Sequence, residues 1–142
     1  MIVLDSSMTL SWFFEDEQTP AGTAVLQRLP NLGAIAPSLW KLEVANALAT
    51  AVRRKRCTPD FADLTLSRLR RMRIQIDGST AEHAWEGTRM LSLAHGLTIY
   101  EATYLEVSVR LQLPLATCDG RLAAAARACA IEVIDAAGEI GS

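Results

Sequence analysis

The chain has 142 residues, 50% of them hydrophobic and 21% charged, with a formal net charge of −2. That length suits a single domain over residues 1–142, and that composition supports a buried core and excludes a disordered chain. The mild acidity argues against a globally basic nucleic-acid binder, and no apolar run reaches the roughly 18 residues of a transmembrane helix.

Residues 1–5 read as a short buried strand, apolar and β-branched, that ends in Asp5. Residues 7–16 follow as a short helix carrying Trp12, Phe13 and Phe14. Pro20 opens a helix to about Leu29, closed by Pro30 and Gly33. Residues 33–36 form a second strand, and Pro37-Ser38 leads into a long helix through about Arg54. Thr58 is the expected N-cap of the next helix, with Pro59 at its first position and its end near Met72.

Residues 73–77 are the third strand. Ser79 or Thr80 then caps a helix reaching Ala94, and His95-Gly96 stops it. Thr98 opens another helix, with Glu101 placed to complete a capping box. Residues 113–117 make the fourth strand, residues 120–130 an Ala-rich helix, and residues 131–135 the fifth strand. Short apolar strands alternating with helices predict an α/β fold: a three-layer sandwich around a central, mostly parallel five-stranded sheet.

The N-terminus has no basic segment before its apolar run, and Asp5 comes too early for a signal peptide. A cytoplasmic location is therefore expected. Cys57, Cys118 and Cys129 are odd in number and form no CxxC pair, so they read as reduced thiols. His83 and His95 stand too far apart for an i,i+4 metal pair and read as structural or surface residues. Eight of the 14 Lys and Arg fall within residues 53–73, a cluster suited either to phosphate contact or to solvating helix ends. Trp12, Phe13, Trp40 and Trp85 read as core or partner-facing residues rather than base-stacking platforms, and Glu15, Asp16 and Glu17 as a solvated run.

Four acids interrupt apolar surroundings: Asp5, Glu43, Glu101 and Asp119. A buried charge without a partner is very costly, and no local run supplies each with a Lys or Arg. In a parallel sheet the strand C-terminal ends share one edge, so Asp5 and Asp119 are expected to meet there. Glu43 and Asn46 lie three apart and share a helix face. Converging carboxylates repel one another unless a cation stands between them. Hard divalent ions such as Mg²⁺ or Mn²⁺ choose such oxygen ligands and can activate water toward a phosphodiester.

Structural roles stand beside these. Glu101 can be the capping partner of Thr98, Glu43 can pair with Lys41 or a neighbouring Arg, and Asp119 can cap the helix that follows it. An α/β phosphotransfer or phosphatase domain with Asp5 as nucleophile is disfavoured. Such enzymes commonly carry a second Asp two residues later, where this chain has Ser7, and the expected strand-end Lys is missing.

Four segments together resemble the motifs of PIN-domain ribonucleases. These are Asp5 closing the first strand, residues 42–48 (LEVANAL), residues 97–105 (LTIYEATYL) and residues 117–122 (TCDGRL). The closest likeness is to the VapC-type toxin of type II toxin–antitoxin pairs, across essentially the whole chain. The resemblance implies a PIN-like fold and a Mg²⁺- or Mn²⁺-dependent endoribonuclease acting on RNA as the toxin of such a pair. It further implies that Asp5, Glu43, Glu101 and Asp119 carry the metal site, with Thr117 and Asn46 supporting them. A small antitoxin whose basic residue reaches the acidic pocket, and a homodimer, are the implied partners. The alternative is a catalytically weak module that acts mainly by binding a small partner protein. One departure stands out: the third acid is usually Asp in this family, and here it is Glu101. Its extra methylene displaces the carboxylate by about 1.5 Å.

Overall fold

The computed structural model describes residues 1–135; residues 136–142, the end of the expected domain, lie outside the described residues. Five three-residue strands form one sheet: β1 (Ile2–Leu4), β2 (Ala34–Ala36), β3 (Ile74–Ile76), β4 (Leu115–Thr117) and β5 (Val133–Asp135). Their order is β3-β2-β1-β4-β5, and every pairing is parallel. The expected mostly parallel sheet is thus wholly parallel. Val3 and Leu4 of the central strand are fully buried, as are Leu115 and Ala116 beside them, and this continuous apolar burial is what parallel strands need.

Among the described residues, eight α-helices accompany the sheet: α1 (Ser6–Ser11), α2 (Pro20–Leu32), α3 (Leu39–Arg53), α4 (Pro59–Arg71), α5 (Thr80–His83), α6 (Arg89–His95), α7 (Ile99–Leu111) and α8 (Gly120–Ala128). α7 packs on β1 and β4, and α8 on β4 and β5. The chain steps one way from β1 to β3 and then back to β4 and β5. Right-handed crossovers place those two sets of connections on opposite faces.

Three elements differ from the expectation. The first helix stops at Ser11, short of residue 16, and Glu15–Glu17 form a separate 3₁₀ turn. Phe14 between them is extended, and the break lets both Trp12 and Phe14 enter the core. Pro30 does not close α2, which runs on to Leu32. So close to the helix end a proline removes little of the hydrogen-bond ladder. Gly33 ends the helix, at a φ of 70° that favours glycine. The helix expected over 79–94 is interrupted between α5 and α6 by a π-helical turn at Ala84–Thr88.

The aromatic residues and the acidic run divide by position. The indole N–H of Trp12 donates to the Gly22 carbonyl, and that of Trp40 to the Thr9 hydroxyl, so both rings are buried with their polar atom satisfied. Phe13 is half-buried, whereas Trp85 is 87% exposed. Asp16 and Glu17 are exposed, and both accept from Arg56, whose guanidinium also stacks on Phe14.

A polar clamp fastens the edge of the sheet to α7. Asp77, directly after β3, accepts from Arg110 at 2.6 Å, and the same guanidinium reaches Glu106 at 2.7 Å. The Thr80 hydroxyl also donates to Asp77, and accepts from the Ser38 backbone N–H at the start of α3. Burial works to raise the Asp77 pKa, but the bonds from Arg110, Thr80 and the Ser79 N–H outweigh it and hold the carboxyl below its ordinary range. Arg110→Met leaves two buried carboxylates facing each other without their cation. We expect it to cost about 3 kcal/mol, read as a lower denaturant midpoint at unchanged slope. An unmoved midpoint would show the clamp to be dispensable.

Candidate active site

The register of the sheet sets Val3 opposite Leu115 and Leu4 opposite Ala116, so the next residues out, Asp5 and Thr117, arrive together at the C-terminal edge. The Thr117 hydroxyl donates to Asp5 Oδ2 at 2.5 Å. Ser7 Oγ lies 2.8 Å from both Asp5 oxygens, and the Met8 N–H donates to Oδ1 at 2.8 Å, which makes Asp5 the N-cap of α1. The Asp119 N–H in turn donates to Thr117 Oγ1 at 2.9 Å. One hydroxyl therefore joins the two strand-end acids that topology was expected to bring together.

Asp5 is 3% exposed. Burial pushes its pKa up to about 6; the bonds from Thr117, Met8 and Ser7 work against that rise, and the Asp119 charge adds to it. Asp119 is half-buried and caps α8, its Oδ1 accepting from the Arg121 and Leu122 N–H groups. The capping role foreseen for it is present, and it occupies one carboxylate oxygen.

Glu43 stands in the second turn of α3 and does not pair with Lys41. Its Oε1 accepts from the Tyr104 hydroxyl and, at 3.4 Å, from Ser6 Oγ. Burial and the Glu43 carboxylate both drive the Tyr104 pKa far above its usual value, and the Asp5 charge adds to the effect. Tyr104 therefore stays protonated and donates. The same phenol senses the charges of Glu43 and Asp5, and the Asp119 charge acts on Asp5.

Glu101 is half-buried and engaged otherwise. Its Oε1 accepts from the Thr98 N–H at 3.2 Å while the Thr98 hydroxyl accepts from the Glu101 N–H, a complete capping box at the start of α7. Asn46, one turn along α3 from Glu43, is exposed, and no hydrogen bond joins it to the acids among the described residues. Sequence reasoning named no role for Tyr104, Ser6 or Ser7 in this site. Two signals were available: Ser6 and Ser7 follow Asp5 directly, and Tyr104 lies three residues beyond Glu101 on the same helix face.

Among the described residues, no ion pair includes Asp5, Glu43, Glu101 or Asp119. The donor set is all oxygen and its charge is uncompensated, which suits a hard divalent cation. As arranged, no three acids, histidines or cysteines of the described residues stand close enough to share one ion. The later half of the basic cluster, in contrast, leads to the other edge of the sheet. Arg68, Arg70, Arg71 and Arg73 directly precede β3, and the N-terminal ends of parallel strands lie at the opposite edge.

The chain is 31% identical over 123 residues to Ribonuclease VapC12 of Mycobacterium tuberculosis, covering 87% of this chain and 90% of that protein. It belongs to the VapC family of PIN-domain ribonuclease toxins. No family model matches it. Among solved structures, PAE2754 from Pyrobaculum aerophilum superposes with a TM-score of 0.68 at 21% identity, over 94% of this chain and 83% of that one. FitAcB from Neisseria gonorrhoeae gives 0.67 at 17% identity, over 97% and 99% of the two chains. VapC20 of Mycobacterium tuberculosis, a Sarcin-Ricin loop cleaving toxin, gives 0.61 at 17% identity, over 88% and 95%. At these identities the structures establish a shared fold.

Because the Asp5 pKa is raised in the folded chain, the native state binds this proton more tightly than the unfolded state. The resulting stabilisation is present below the unfolded value near 4 and is lost as pH rises through about 6. Asp5→Asn removes this dependence. In EDTA, the stability of the variant relative to the parent should therefore increase between about pH 4 and pH 7.5, by something on the order of 3 kcal/mol. A difference that stays constant with pH would refute the buried ionised carboxylate.

Proposed function

We propose that this VapC-family ribonuclease is a Mg²⁺- or Mn²⁺-dependent endoribonuclease whose site is built on Asp5, Glu43, Glu101 and Asp119. The observation that carries the reading is the buried Asp5 carboxylate, joined through Thr117 to the Asp119 N–H, with no ion pair to either acid among the described residues. When bound, a divalent cation supplies positive charge to the phosphoryl group and makes water nucleophilic at neutral pH. The chain's own part is to hold that charge in place. Ser7 and Thr117 fix the Asp5 carboxylate, and Asp119 keeps Oδ2 outside its helix cap. Glu101 likewise engages only Oε1 in its capping bond, so one side chain can cap α7 and still offer an oxygen. Whichever acid remains outside the cation's ligands accepts the proton of the attacking water.

Family membership supports action as the toxin of a toxin–antitoxin pair, with RNA as substrate, a small antitoxin as partner and a homodimer as assembly. A cytoplasmic site of action, in one domain over 1–142, completes the proposal. No described helix is long and apolar enough to cross a membrane. The second reading, a module acting mainly through a small partner, draws on Trp85, Met90 and Leu93, which are 87%, 70% and 74% exposed along the α5–α6 rod. Apolar surface of this kind marks contact sites.

Cleavage of total cellular RNA, followed by sequencing of the new 5′ ends, separates the two readings. The first expects cutting in Mg²⁺ or Mn²⁺, none in EDTA, and a loss of about 100-fold or more in Asp5→Asn. Metal-independent cleavage, or full activity in Asp5→Asn, sinks it. Glu101→Gln divides capping from ligation, because glutamine also completes a capping box. The expected result is an unchanged melting temperature with cleavage lowered by at least about tenfold. Unchanged cleavage would leave Glu101 a capping residue alone.

A further inference from the structure

Helix α7 sends a side chain to Glu43, and that side chain is a phenol rather than an acid. Glu43 stands on α3 at the margin of its buried face: Val44 is buried, but Leu42 is 69% exposed, and Ala45 and Asn46 are exposed too. A glutamate in such a place has three rotatable bonds and nothing in its own helix to fix them. Tyr104, by contrast, is 2% exposed on a helix packed against the two central strands, so its hydroxyl has a set position. That hydroxyl donates to Glu43 Oε1. The second donor to the same oxygen, Ser6 Oγ at 3.4 Å, is at the outer limit of a hydrogen bond. Oε2 accepts no hydrogen bond among the described residues.

We propose that Tyr104 is the positioning residue for Glu43, pinning Oε1 so that Oε2 is presented to the divalent cation. The assignment rests on the metal-dependent reading above. Its chemical logic lies in the neutrality of the donor. A Lys or Arg in this place would orient the carboxylate equally well and would cancel the charge that attracts the ion. A phenol orients it and leaves the full negative charge. Tyr104 also lies three residues after Glu101 on the same face of α7.

The test is a calorimetric titration of the full-length chain with Mn²⁺, carried out on the parent, Tyr104→Phe, Glu43→Gln and the double variant, with RNA cleavage and thermal melting alongside. The phenylalanine retains the buried ring and removes only the hydroxyl. Tyr104→Phe should weaken Mn²⁺ binding about 10- to 100-fold and lower kcat similarly, with KM for RNA unchanged. In the Glu43→Gln background the same substitution should change Mn²⁺ affinity by less than about twofold, because the carboxylate through which it acts is gone. A purely structural phenol would not give that non-additivity. Ser6→Ala removes the weaker donor and should lose less affinity than Tyr104→Phe does. The assignment is overturned by a Tyr104→Phe variant that binds Mn²⁺ like the parent, by additive losses in the double variant, or by Ser6→Ala losing as much as 10-fold. A parent chain that binds no Mn²⁺ and cuts no RNA overturns the metal-dependent reading, and this assignment with it. A parent that binds and cuts, beside an unimpaired Tyr104→Phe, overturns Tyr104 alone.

Discussion

A carboxylate carried out of the core on the central strand of a parallel sheet is the constraint around which the rest of the molecule is arranged. β1 is three residues long and fully covered, and Asp5 follows it while still buried. Without a cation to pair with, the charge is held by whatever donors the neighbouring chain can bring. The structure answers with hydroxyls: Ser7 from the first turn of α1 and Thr117 from the end of β4. Each has a second task. Ser7 accepts from the Cys118 N–H, and Thr117 from the Asp119 N–H, so the β4–α8 corner is stitched to the β1–α1 corner through the same side chains that steady the acid.

The choice of neutral donors has an electrostatic meaning. Burial pushes the Asp5 pKa up to about 6, and the hydroxyls, which satisfy the geometry of a carboxylate without supplying net charge, offset that rise only in part. Arginine is used freely elsewhere in the same molecule. Arg110 joins Asp77 and Glu106 in the clamp at the β3 edge, and Arg56 joins Asp16 and Glu17 at the surface. The chain thus separates acids that are neutralised for stability from acids left negative at one edge of the sheet. That division supports the proposed site, because uncompensated buried charge is costly and tends to cluster where it is used.

The sequence makes some of this legible and hides the rest for physical reasons. Asp5 and Asp119 were recoverable because a parallel sheet forces strand ends to a common edge whatever the details of packing. The capping box of Thr98 and Glu101 and the caps at Thr58 and Asp119 were recoverable because they are set by residues a few positions apart. The Tyr104–Glu43 bond was not, since it depends on how α7 and α3, separated by 61 positions, meet near the sheet edge. The basic run at 53–73 was legible only as a run, and its place in the fold was not. Nearness along the chain placed those residues together, while the return of α4 to the start of β3 carries the later arginines away from the acids. The early end of α1 and the π-helical turn after His83 likewise answer to tertiary packing, and local propensity carries no sign of either.

The capping box has a consequence of its own. Glu101 is the latch of the first turn of α7, and in the proposed site it is a ligand as well. Any ligand that draws its carboxylate away from the Thr98 N–H unlatches that turn, and by thermodynamic reciprocity anything that tightens the turn opposes the ligand by the same free energy. An aspartate at this position would be too short to share the two tasks on equal terms. If Glu101 serves the proposed site too, helix initiation and ligand binding there become two readings of a single equilibrium.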